Sequence, residues 1–343
     1  MLLPTIQPAR NVLLTGAGFT KSFKGYLASE MWILIFNHPD IVRHPRLRQY
    51  LLENFDYEEV YACIGKNEEG FTAEERRAYI VALESAYNRL DMATCGTLQS
   101  DACKYCRFLL SRFGRVDRNE VGLIFTLNHD LLLEQHFSQD DIRIFMPGLA
   151  VPTWFRGKKL EKYDTQSLKL PTEDEVRKIN DEFWSTRNQQ LAYIKLHGSM
   201  GWKSTYGYDS MIIGTTKASA IEHEPLLKWN FSVLKKALHA GDRNLLIMGY
   251  GFRDSHINQV IADGIQKHGL KIFIVNPCSP TELRNQLVGH TVGDGSYSGD
   301  LGALLWSGLA GYCMQTANQL VPKSDYDNLS SEANSLLQCM GLL

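Results

Sequence analysis

The sequence predicts an α/β protein, a doubly wound parallel sheet into which a helical module is inserted. Three observations predict it. From about residue 190 onward, short apolar runs that read as buried strands alternate with helical patterns. Four apolar runs end in polar tips: Thr15-Gly16-Ala17-Gly18-Phe19-Thr20, Thr126-Leu127-Asn128-His129-Asp130, Leu196-His197-Gly198-Ser199, and Gly249-Tyr250-Gly251-Phe252-Arg253-Asp254-Ser255-His256. Residues 27–115, between the first two runs, carry helical periodicity and no strand. Ligands of open α/β sheets sit beyond the carboxyl ends of the strands, so four such tips converge on one crevice.

The elements follow in order. Residues 11–15 form the first strand, with Gly16-Ala17-Gly18 as its turn. In the inserted stretch, Leu27, Met31, Leu34 and Ile35 make one helical face; Leu47, Tyr50, Leu51 and Phe55 make another; residues 76–92 make a third helix. The next strand is 121–126, followed by a helix over 130–137. Residues 141–170 are irregular, broken by Pro147, Pro152 and Gly157, and a polar helix spans 173–187. Strands at 192–196, 244–248 and 271–275 alternate with helices at 226–238 and 254–267. The last strand closes on Asn276-Pro277.

The organisation expected is a sheet domain built from 1–26, 116–140 and 190–300. The helical module 27–115 and an irregular to helical stretch 141–189 are insertions, and 301–343 is a C-terminal helical segment.

Composition excludes several classes. A chain of 343 residues with net charge −2 has no global basic field for nucleic acid or an anionic membrane. The densest basic run, Arg156-Gly157-Lys158-Lys159-Leu160-Glu161-Lys162, is short and interrupted by an acid, as in a solvated loop. The N-terminus lacks the basic-then-apolar pattern of a signal peptide. The longest uncharged stretch starts at Leu301, and its apolar part is too short and too glycine-rich for a membrane span, so a buried helix is expected over 301–314. Seven cysteines, an odd number without framework spacing, read as reduced thiols in a cytoplasmic protein. Cys103 and Cys106 share a helical face with Leu109, Leu110 and Phe113. With no second cysteine pair, no zinc or other metal site is expected.

The first glycine segment narrows the chemistry. Glycines after a strand allow a sharp turn and close approach to a pyrophosphate. A full dinucleotide fingerprint needs a third glycine where Lys21 stands, and a phosphate-binding P-loop needs glycine where Thr20 stands. An ordinary dehydrogenase and a P-loop enzyme are both excluded, and by itself a plain tight turn explains Gly-Ala-Gly nearly as well.

Together the four tips resemble the sirtuin (silent information regulator) family. Gly16-Ala17-Gly18-Phe19-Thr20 is similar to its Gly-Ala-Gly-hydrophobic-Ser/Thr segment. Asn128 and Asp130 resemble its Thr-Gln-Asn-x-Asp, and Leu196-His197-Gly198 its catalytic His-Gly. Gly249-Tyr250-Gly251-Phe252 and Val275-Asn276-Pro277 resemble the two late strand ends that hold phosphate and adenosine ribose. The wording Gly-Tyr-x-Phe-x-Asp-x-His-Ile-Asn, running through Asp254, is closest to the prokaryotic branch of antiviral defence. The resemblance implies a Rossmann-like domain, NAD as substrate, His197 as base and Asn128 as a ligand of ribose and water. Asp130 would be a third catalytic-site residue that orients the Asn128 loop or a ribose hydroxyl. It implies cofactor contacts at Gly16, Ala17, Gly18, Phe19, Thr20, Gly249, Gly251, Phe252, Asp254 and Asn276. Two departures stand out. No cysteine lies between His197 and Cys278, where the deacetylases carry a zinc ribbon, and Ser22-Phe23-Lys24-Gly25-Tyr26 replaces their Pro-Asp-Phe-Arg.

His197 by itself serves equally as a satisfied core histidine, but the flanking Gly198 and the preceding strand favour function; Asn128-His129-Asp130, Asp130 in particular, also reads as a helix cap. His129 and His256 read as structural, and Asp254 with Ser255 as a cap of the following helix. Three functions compete. The first is an NAD hydrolase that releases nicotinamide and ADP-ribose and depletes host NAD in defence. The second is a protein deacylase or ADP-ribosyltransferase, and the third an NAD- or ADP-ribose-sensing scaffold. The expected partners are further copies of the chain, through the inserted helices, and by resemblance a HerA-type ring ATPase or another defence component, with no membrane and no direct nucleic acid.

Overall fold

The computed structural model describes residues 6–66, 70–95, 109–133, 144–149, 168–185, 191–199, 202–204, 221–288, 299–320 and 329–343. Nine strands lie among them: β1 (Gln7–Thr15), β2 (Glu120–Thr126), β3 (Ile144–Phe145), β4 (Leu168–Lys169), β5 (Leu191–Lys195), β6 (Trp202–Lys203), β7 (Asn244–Met248), β8 (Lys271–Val275) and β9 (Leu309–Cys313). Seven form one sheet in the order β3-β5-β2-β1-β7-β8-β9, every neighbouring pair parallel. β4 and β6 make a separate pair. Setting aside the two-residue edge strand β3, the order is that of a Rossmann-like doubly wound sheet, with its switch point between β1 and β7.

The strands are continuous apolar runs because both sheet faces are covered. Side chains alternate between faces with period two. Val12 and Leu14 of β1 therefore enter one core with Phe125, Ile194 and Ile247, while Leu13 enters the other with Ile124, Tyr193 and Met248. The helices, numbered along the chain, are α1 (Ala17–Lys21), α2 (Ala28–Phe36), α3 (Pro39–Val42), α4 (Pro45–Glu53), α5 (Tyr57–Lys66), α6 (Ala73–Cys95), α7 (Glu173–Phe183), α8 (Pro225–Leu238), α9 (Ser255–His268), α10 (Pro280–Val288), α11 (Gly299–Ser307), α12 (Ala317–Leu320) and α13 (Ser331–Met340). α8 to α11 cover the first face and α1, α12 and α13 the second.

The inserted module is built from α2 to α6 and has a core of its own, including Met31, Ile35, Leu47, Tyr79 and Leu83. Prolines at the first turns of α3 and α4, where no amide hydrogen bond is lost, start those helices. A reciprocal Thr72–Glu75 capping box starts α6. The module meets the sheet near α6: Asp91 Oδ1 accepts from Leu131 N at 2.9 Å, and the Tyr87 ring stands edge-on to His129.

Several expectations need correction. β8 is not the last strand. The apolar stretch expected to be one buried helix over 301–314 ends its helix at Ser307, and β9 then pairs with β8 at the sheet edge. Close packing requires glycine here: a Cβ on Gly308 would lie 2.5 Å from Ile265 Cδ1, and one on Gly311 2.6 Å from Phe273 Cδ1. The segment 301–343 is thus only partly helical, and the sheet runs past residue 300. Leu27 precedes α2 rather than lying on its face, and Phe55 lies beyond α4 and is 69% exposed. Of the helix expected over 130–137, only Leu132 and Leu133 are helical among the described residues. Cys103 and Cys106 lie outside those residues, while Leu109, Leu110 and Phe113 are buried. No helix among the described residues is long and apolar enough to cross a membrane.

Candidate functional site

Six strands finish on one register row, in which Lys195, Thr126, Thr15, Met248, Val275 and Cys313 are successive partners. The residues that follow this row are the polar tips. Asn128 and His197 each lie two positions past it, on the neighbouring strands β2 and β5.

At the switch point the tips of β1 and β7 touch backbone to backbone. Gly18 N donates to Gly249 O at 2.8 Å, and Gly16 N to Met248 O at 3.0 Å. A Cβ on Gly16 would lie 2.7 Å from Gly249 O, and one on Gly249, whose φ is 66°, only 2.0 Å from Phe19 N. The need for glycine at these positions comes from this mutual contact as much as from the turn. Ala17 and Gly251 are exposed. Phe19 and Phe252 are 1% exposed and pack in the cores, so their side chains fill the fold. Phe252 holds a left-handed φ of 54°, sustained by Asn258 Nδ2 donating to its carbonyl at 2.8 Å. Asn276 turns the chain after β8: its Oδ1 accepts from Cys278 N at 2.9 Å.

The β1 and β2 tips are joined by a directed chain of hydrogen bonds. Asn128 Nδ2 donates to Gly16 O at 2.9 Å and to Thr20 Oγ1 at 2.7 Å. The Thr20 hydroxyl donates to Asp130 Oδ2 at 2.9 Å, and Asp130 Oδ1 accepts from Leu132 N at 3.0 Å. Thr20 has one proton and gives it to the carboxylate, so it can only accept from Asn128. The amide orientation is therefore determined: nitrogen inward, Oδ1 outward. Among the described residues that Oδ1 has no hydrogen-bond partner, and Asn128 is half-buried. Asp130, expected in the catalytic set, spends both oxygens inside the fold.

A buried lysine joins β2 to β5. Lys195 is 1% exposed, and its Nζ donates to Ser199 Oγ at 3.0 Å, to His129 O at 3.3 Å and to Asp130 O. Ser199 Oγ donates onward to His129 O at 2.8 Å. Carbonyl and hydroxyl acceptors take the place of water around the ammonium, as a buried cation requires. Sequence reasoning passed over Lys195; a lysine within the otherwise apolar Leu191–Lys195 run was the available signal. Between Lys195 and Ser199, Gly198 takes a φ of 75°, and His197 is 2% exposed.

His197 does not stand alone. Its Nε2 is 3.1 Å from His256 Nε2, with ring centroids 5.2 Å apart. His256, expected to be structural, is thus at the site. Asp254 completes a group of three whose ligand-type atoms all lie within 4.8 Å of one another. Asp254 stands at the N-cap of α9, the alternative to its reading as a cofactor contact, but its side chain makes no cap hydrogen bond. Its backbone is held by Tyr250, whose hydroxyl accepts from Asp254 N at 3.1 Å and lies 3.0 Å from Asn258 Oδ1.

The tips of β1, β2, β5, β7 and β8 thus form one polar rim. It carries an outward amide oxygen at Asn128, an imidazole pair at His197 and His256, and a carboxylate at Asp254. No curated protein matches the chain. Residues 122–291 match the model of the SIR2-like domain, a span that includes every one of those side chains and leaves out the Gly16–Thr20 turn. The chain therefore carries a SIR2-like domain over residues 122–291, and that domain is sirtuin-like.

Proposed function

We propose that the chain hydrolyses NAD at the nicotinamide–ribose bond, giving nicotinamide and ADP-ribose. The SIR2-like domain implies NAD binding or use. The observation that carries the finer reading is the outward Oδ1 of Asn128, fixed by Gly16 and Thr20 on the strand next to the one bearing His197.

In this reading the bonding pair leaves with the nicotinamide nitrogen and neutralises its positive charge, while C1′ of ribose becomes oxocarbenium-like. Asn128 Oδ1 accepts from a ribose hydroxyl or the attacking water. As water adds to C1′ its proton passes to the His197–His256 pair, and Asp254, within 4.8 Å of both, favours the imidazolium that results. Asp130 and Lys195 hold the Asn128 and His197 loops and touch no reacting atom. Such an activity would deplete cellular NAD, the role suggested by the resemblance to antiviral-defence proteins. Control is assigned to assembly with further copies, or with a HerA-type ATPase or other defence partner.

The test is incubation with NAD, with and without an acetylated peptide. Peptide-independent release of nicotinamide supports the proposal. Release only with peptide favours a deacylase or ADP-ribosyltransferase, and binding without turnover favours a sensing scaffold.

A further inference from the structure

We propose that His197, His256 and Asp254 form a binding site for a zinc-class divalent transition metal. The three are brought together from two elements: His197 follows β5, while Asp254 and His256 flank the first residue of α9. Two imidazoles and one carboxylate are the donor set such metals prefer over Mg²⁺ or Ca²⁺. With metal–nitrogen bonds of about 2.0–2.1 Å, two histidines on one tetrahedral ion have their nitrogens roughly 3.3 Å apart. The observed Nε2–Nε2 separation is 3.1 Å, and a carboxylate oxygen of Asp254 lies within 4.8 Å of a ring nitrogen of each histidine.

The site is also held in place. Tyr250 fixes the Asp254 backbone, Asn258 anchors both Tyr250 and Phe252, and the Lys195–Ser199 contact anchors the segment carrying His197. Loops fixed from below limit the ordering lost when an ion binds. Three protein ligands leave one coordination position open to water. Cysteine spacing, on which the expectation of no metal rested, cannot register a group of this kind.

Metal occupancy takes the Nε2 lone pairs of both histidines, so an occupied site cannot accept the proton of attacking water. That consequence rests on the reading of His197 as the base; the metal site itself does not.

The experiment titrates Co²⁺ into the chelator-treated full chain and follows its visible ligand-field bands, with Zn²⁺ displacement as confirmation. One equivalent should bind. His256→Gln and Asp254→Asn, both checked for native circular dichroism, should each weaken binding by at least about tenfold, because even partners outside the ligand shell are worth about 10–100-fold in metal affinity. His268→Ala, which alters the separate stacked pair His239–His268, should bind as the parent does. No band in the parent, or equal affinity in the folded Gln and Asn variants, overturns the site. A cobalt band without any nicotinamide release from NAD by the metal-free chain keeps the metal site and removes the hydrolase reading. Zinc-inhibited release supports both.

Discussion

Asn128 and Thr20 are 108 residues apart in the chain, yet Asn128 Nδ2 donates to Thr20 Oγ1 at 2.7 Å. That one hydroxyl converts a rotatable amide into an oriented one, because its proton is already committed to Asp130. Thr20→Val is expected to release the amide and leave Asp130 Oδ2 without its donor. A buried polar group stripped of its partner costs about 1–3 kcal/mol. NAD turnover and thermal stability should both fall, and Thr20→Ser should recover both. Equal behaviour of Val and Ser would show that the hydroxyl orients nothing.

His197→Ala and Asn128→Ala are expected to reduce nicotinamide release about a hundredfold or more, the usual loss for a positioned acid–base group. Circular dichroism should stay native. Near-parental turnover in folded His197→Ala would falsify its role as base.

Lys195→Met keeps length and removes the ammonium. His129 O, Asp130 O and Ser199 Oγ each lose a donor, and the β2 and β5 tips lose a shared anchor. The expected loss is about 1–3 kcal/mol, read as a lower denaturant midpoint at unchanged slope. An unchanged midpoint would mean that water substitutes for the lysine.

Cys313 sits at the end of β9, where burial pushes its thiol up to about 11. The thiolate is the reactive form, and at pH 8 on the order of one in a thousand such groups carries it. Iodoacetamide at pH 8 should label exposed Cys339 well before Cys313, read by peptide mass mapping, and Cys313 should begin to react only as the pH nears 11. Equal labelling at pH 8 would place Cys313 outside the core.

Nine large apolar side chains are exposed among the described residues, and seven of them, including Ile33, Leu52, Phe55 and Met92, lie within residues 27–92. We propose that this module carries an interaction surface, which contiguous exposed apolar patches commonly mark. Light scattering is expected to report a homo-oligomer, and Phe55→Lys to lower its mass. A parental monomer with full, concentration-independent activity would remove both the assembly and its proposed control.

The fold was legible wherever strands are buried on both faces. β7 and β8 begin and end where their apolar runs do, at Asn244–Met248 and Lys271–Val275. β9 was not, because Leu-Ala-Gly-Tyr-Cys lies at a sheet edge, partly exposed, and continues a helical apolar stretch across Gly308. At the site, the four strand-end segments were legible as motifs, whereas pairing was not. His256 reads as part of a helix start, and only the packing of α9 against the β5 tip brings it to His197. Phe19 and Phe252 sit inside motif segments but serve the cores, since motif wording does not say which way a side chain points.

The place of β1 in the sheet separates the family segment from a folding unit. β2 and β7 both lie within residues 122–291 or at their edge, and the strand that stands between them is β1, from the N-terminus. A fragment cut to the matched residues would have to bring β2 and β7 together across a missing strand, with Val12, Leu13 and Leu14 absent from both cores. Asn128 would lose Gly16 and Thr20 at the same time. The rim therefore exists only after the most sequence-distant pairings have formed. Ordering of Asn128 reports on the docking of β1 beside β2, and an N-terminal lesion far from the matched segment would disturb the site without touching a residue of that segment.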